Sequence, residues 1–73
     1  MKKNYRIKYL RRGEWTWATG KTGDVLSFDS IYDTRMYLVK ARDKEPNNPV
    51  TFMNRVNICE FDGDNFVCKV EEF

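Results

Sequence analysis

At 73 residues, with 41% hydrophobic and 15% aromatic side chains, the chain has material for one small core and is too rich in rings to be a disordered tract. No run of about 18 apolar residues occurs, which excludes a membrane-spanning helix, and two cysteines are too few for the disulfide framework of a small secreted domain. Formal net charge is only +2, but residues 1–22 carry seven basic side chains against Glu14 alone, a local +6, while residues 46–73 sum to −3.

The basic start Met1-Lys2-Lys3-Asn4-Tyr5-Arg6 runs into alternating polar residues rather than an apolar stretch, so a cytoplasmic protein with no secretory leader is expected. Tyr5, Ile7 and Tyr9 alternate with Arg6 and Lys8, the period of a strand with one buried face. Arg11-Arg12-Gly13-Glu14 supplies a turn, and Trp15-Thr16-Trp17-Ala18-Thr19 alternates again, so residues 4–19 read as a β-hairpin. Two glycines make a loop of Gly20-Lys21-Thr22-Gly23-Asp24, and Val25–Phe28 suits either a strand extension or a lead into a helix.

Ser30 with Asp33 three residues on approximates a capping box, and Ile31, Thr34, Leu38 and Ala41 then share one helical face. Asp29 and Asp33 early, with Lys40, Arg42 and Lys44 late, complement the helix dipole, and Pro46 ends the element. Asn47-Asn48-Pro49 is a connector. Val50–Phe61 supports one strand, clearest from Arg55; Asp62-Gly63-Asp64-Asn65 is a hairpin turn; Phe66–Val70 is the last strand. The expected fold is a single α+β domain over residues 1–73, ordered β-β-α-β-β. Four antiparallel strands carry one helix on one face and leave the other face wet. With Phe61 opposite Phe66, Cys59 would face Cys68 and Ile58 would face Lys69, an arrangement open to a disulfide or to two small core side chains.

The motifs that would bring chemistry do not complete. Gly20-Lys21-Thr22 matches the end of a phosphate-binding loop, but the earlier glycine is replaced by Trp15 and no helix follows. Asp62, Asp64 and Asn65 open like a calcium loop, yet Phe66 and Val67 occupy the fifth and sixth places. Histidine is absent, which removes the usual general base and leaves two cysteines as half a zinc shell. The expectation is therefore no enzyme, no cofactor and no metal.

Two surfaces are candidates for binding. The first hairpin sets Arg6, Lys8, Arg11, Arg12 and Lys21 beside Tyr5, Tyr9, Trp15 and Trp17, the cations and rings that a nucleic-acid reader needs. Alternation also permits a plainer arrangement, with the rings in the core under the helix and the cations on a solvated face. On the helix, Tyr32, Met36 and Tyr37 spread apolar surface beyond one stripe, as a partner-binding patch would.

The run Tyr5-Arg6-Ile7-Lys8-Tyr9, then Gly13-Glu14-Trp15, Ala18-Thr19-Gly20 and a helix opened by Ser30, resembles small accessory proteins encoded by bacteriophages. The resemblance covers the first half of the chain and carries no functional residue across. It implies a protein that binds and inhibits or modulates a host enzyme or defence system, in the host cytoplasm. The leading expectation is thus a non-enzymatic protein-interaction module whose partner is a host or regulatory protein. The alternative is a small nucleic-acid-binding protein using Arg6, Lys8, Arg11, Arg12 and Trp15. A third is a homodimer formed through an edge strand near Val50–Val56.

Overall fold

In the computed structural model, which describes residues 2–44 and 55–73, the alternating N-terminal segment forms strand β1, Lys3–Arg11, and Glu14–Trp17 forms β2. Arg12 (φ 53°) and Gly13 (φ 81°) both take left-handed backbone, which gives the two-residue turn whose twist matches antiparallel strands. That tight turn sets Leu10 opposite Trp15 and Lys8 opposite Trp17.

The glycine loop closes on itself, Gly20 N donating to Asp24 O at 2.9 Å and Leu26 N to Ala18 O at 2.9 Å. Beyond it the chain returns to β1, where Tyr5 and Phe28 exchange two backbone hydrogen bonds of 2.8 Å. Residues 25–28 therefore extend the sheet by isolated bridges before the helix starts. Helix α1 spans Ile31–Lys44, and Ser30 Oγ accepts from Asp33 N at 3.0 Å, the cap expected of that serine. Thr34, Leu38 and Ala41 are its buried residues, as the spacing predicts. Strands β3 (Arg55–Asp62) and β4 (Asn65–Glu72) follow, joined through Gly63 at φ 61°.

All pairings are antiparallel and the strand order is β2-β1-β3-β4, so the α+β architecture with one helix on a four-stranded sheet stands. The helix covers the face that carries Tyr5, Ile7, Val56 and Ile58; Leu38 and Ala18 complete this core, with Phe28, Tyr37 and Val70 packed around it. Ile7, Leu38 and Ile58 are wholly buried, each worth about 1.5–3 kcal/mol in apolar transfer. Among the described residues no helix is long and apolar enough to cross a membrane.

The second hairpin departs from expectation. Phe61 does face Phe66, but Cys59 faces Lys69, and Cys68 faces Glu60. Ile58 lies opposite Glu71 rather than Lys69. Register shifts between Glu60 and Phe61 and between Ile58 and Cys59 leave Val67 and Val70 as extra residues in β4, and each extra residue slips the ladder by one place. The two cysteines consequently belong to opposite faces of the sheet, Cys59 buried and Cys68 exposed, both as free thiols.

Two more expectations change. Arg55 and Val56 belong to β3, which lies between β1 and β4, so they offer no sheet edge; the edges are β2 and β4. The rest of that proposed edge, residues 50–54, falls outside the described residues, as do Pro46 and the connector 47–49. The helix-free face is also not simply wet. Cys59 is fully buried on it, and Asn57 and Phe61 are each only 5% exposed, because that face carries aromatic rings of its own.

Candidate functional site

Strand alternation sorts side chains between the two faces. The odd residues of β1 turn to the helix, so Arg6, Lys8 and Leu10 turn away from it, together with their cross-strand partners. From β2 those partners are Trp15 and Trp17; from β3 they are Arg55, Asn57 and Cys59. Phe61 and Phe66 close the far corner as a facing pair. Both tryptophans thus lie on the outer face, while Tyr5 and Tyr9 lie under the helix.

The rings form a chain across this face. Trp17 meets Phe61 edge-on at 5.1 Å between centroids, and Phe61 meets Phe66 the same way at 5.8 Å, both favoured aromatic geometries. Cations sit among them. The Lys8 ammonium lies 5.2 Å from the Trp15 centroid, 5.7 Å from Trp17 and 5.8 Å from Phe66. The Arg55 guanidinium lies 5.8 Å from Trp15. Two rings stay open to solvent, Trp15 at 41% and Phe66 at 53% exposed.

Arg6 differs from Lys8 in kind. Its guanidinium lies 4.2 Å over Phe61 and donates to Asn4 Oδ1 (3.1 Å), Gly63 O (3.1 Å) and Asp64 Oδ1 (2.8 Å). Every one of those partners belongs to the sheet or its β3–β4 turn, so Arg6 holds the fold together at this corner.

Ion pairing between the basic and acidic ends of the chain is partial. Lys3 reaches Glu60 at 3.9 Å and Arg6 reaches Asp64. Among the described residues Lys2, Lys8, Arg11, Arg12 and Lys21 have no ion-pair partner. Two carboxylates bordering the outer face are engaged, Asp64 by Arg6 and Glu72 by Arg55 at 2.8 Å, while Glu14, opposite Arg11 at the hairpin tip, has no ion-pair partner among the described residues. The Arg55 hydrogen bond, helped by Lys69, holds the Glu72 carboxyl below its usual range. Burial pushes the Cys59 thiol up, against the pull of Lys8. The Asn57 amide oxygen, buried across the ladder from Lys8, has no hydrogen-bond partner among the described residues.

Of the residues singled out from sequence, Arg6, Lys8 and Trp15 share this face, and Arg11 and Arg12 sit exposed at the hairpin tip beyond Trp15. Tyr32, Met36 and Tyr37 lie on the helix, across the sheet from that face. Tyr32 is 68% exposed, but Met36 is half-buried and Tyr37 packs on Phe28 at 5.3 Å within the core rim. Among the described residues the helix thus exposes Tyr32 and, on the same stripe, Val39 at 42%, with half-buried Met36 between them. Sequence reasoning missed Phe66, Phe61 and Arg55 as members of the site. The turn-fixed pairing of Phe61 with Phe66 was readable, but not that β3 lies beside β1. Among the described residues no three of Cys, Asp and Glu converge as a metal site would require.

No family model matches the chain, and neither the curated proteins nor the solved structures contain a match to it.

Proposed function

We propose that this protein is a non-enzymatic nucleic-acid-binding domain, and that its contact surface is the helix-free face of the sheet continued onto the hairpin tip. The observation that carries this reading is one ammonium, Lys8, set among Trp15, Trp17 and Phe66 on a face where Asp64 and Glu72 are already paired. Such a face combines a net positive field for phosphates with flat apolar rings for bases. Arg11 and Arg12 add positive charge at the hairpin tip beside this face, without an ion-pair partner among the described residues. A protein-binding patch would more often be depleted of lysine at its centre. The helix, the other surface considered for a protein partner, exposes Tyr32 and Val39 as its large apolar side chains among the described residues.

The test is oligonucleotide binding followed by fluorescence anisotropy across a salt series. Binding should be measurable at about 50 mM salt and weaken linearly on a log–log plot, losing roughly 0.7 units of slope per phosphate contacted for a single strand. No binding at that salt refutes the proposal. So does a partner from cell extract that survives nuclease digestion and is lost on Lys8→Ala, because the face would then belong to a protein.

A further inference from the structure

Resting on that reading, we infer that the ligand is single-stranded nucleic acid, with one base stacked on Trp15, another on Phe66, and the intervening backbone phosphate drawn to Lys8. The division of labour among the rings carries this. Phe61, 5% exposed and covered by the Arg6 guanidinium, offers no free π-face, and Trp17, half-buried and edge-to-face with it, is less open than Trp15 or Phe66. Trp15 and Phe66 are the exposed rings, and they stand on the two edge strands, β2 and β4. Both lie within reach of the same Lys8 ammonium, at 5.2 and 5.8 Å. A chain that places bases on both rings must carry its backbone across the strands between them, where Lys8 is the cation without a carboxylate partner among the described residues.

A duplex satisfies none of these features. Its bases are paired and stacked, so exposed rings gain nothing from it. The face is also too broad to read a groove. Four strands at the usual spacing span roughly 14 Å between outer axes, before side chains are added. The major groove of B-form DNA is about 12 Å wide and that of an RNA helix is narrower still. Against a duplex the domain would touch phosphates alone.

The deciding experiment titrates the intact protein with an oligothymidylate of about 12 nucleotides and with a duplex of equal phosphate number, reading tryptophan quenching and anisotropy. The single strand should bind at least ten-fold more tightly and quench Trp15 emission. Trp15→Leu and Phe66→Leu should each weaken it roughly five- to hundred-fold, the span expected for one lost base stack, while Trp15→Phe retains most of the affinity. The leucines keep apolar bulk on a folded sheet, so circular dichroism should match the parent. Equal affinity for duplex and single strand, or parental affinity in both leucine variants, overturns the stacking inference and leaves the broader nucleic-acid reading standing. Failure of both oligonucleotides to bind removes the two together.

Discussion

Arg6 and Lys8 are neighbours on one face of one strand, yet their deletion should separate stability from binding. Arg6 has a side chain only 18% exposed, and its loss removes the stack on Phe61 and hydrogen bonds to Gly63 O and Asn4 Oδ1. The stack is worth about 0.5–1 kcal/mol, and each of the two hydrogen bonds roughly 1 kcal/mol. The pair with Asp64 adds little, since that carboxylate is 98% exposed and screened by water. With some rehydration in the variant, Arg6→Ala should destabilise by about 2 kcal/mol, or roughly 8–16 °C in Tm for a domain of this size. Arg6→Lys should recover less than half, because an ammonium cannot reproduce the planar fork that bonds and stacks at once. Lys8→Ala should cost under about 1 kcal/mol in stability, while weakening oligonucleotide binding and lowering its salt slope by about 0.7. Urea denaturation monitored by circular dichroism, beside the binding titration, measures both. Arg6→Ala leaving stability within about 0.5 kcal/mol of the parent, or the two alanines shifting stability and binding alike, would refute this separation of roles.

Gly63→Ala should destabilise by about 1 kcal/mol through backbone strain alone, since φ is 61° and nothing lies within 4 Å of an added Cβ; Gly63→Asn should cost less, which thermal melts would read. The Glu72 carboxyl should titrate below the ordinary glutamate range by NMR, and Arg55→Ala should move it upward by removing its largest cause. Because the folded-state value is the depressed one, the stability it contributes is present above the unfolded-state pKa and lost as pH falls through the folded one; a titration unchanged by Arg55→Ala would refute the assignment. Cys68 should react with a thiol reagent in the native protein, whereas buried Cys59, its thiol pushed up by burial, should react only on unfolding; equal labelling of the two by mass spectrometry would contradict the register.

What the sequence makes legible follows from local periodicity. Tyr5, Ile7 and Tyr9 betray β1, the Ser30 cap and the Thr34-Leu38-Ala41 stripe betray the helix, and Gly63 betrays the second turn. The first hairpin even encodes its own site, since a two-residue turn at Arg12-Gly13 forces both tryptophans onto the Lys8 face. The slip in β4 is harder, because a bulge costs one residue and alternation read from a single strand cannot locate it. Its trace is the adjacent apolar run Phe66-Val67-Cys68, which breaks the expected alternation. The meeting of Phe66 with Lys8 lies beyond local reading altogether. It depends on β1 pairing with β3 across some fifty residues of chain, a long-range choice made by how the helix-side core closes.

The irregular β4 has a consequence for how the molecule behaves in a crowd. An eight-residue outer strand bearing exposed Phe66 and Val67 is the kind of edge on which a second chain could grow a continuous sheet. The extra residues at Val67 and Val70 put its outward N–H and C=O groups out of step, and Lys69, Glu71 and Glu72 seed it with charge. At the opposite border β2 is only four residues long. The slip that separates the two cysteines thus also blunts the border most open to aggregation, so straightening β4 would risk solubility before it touched the fold.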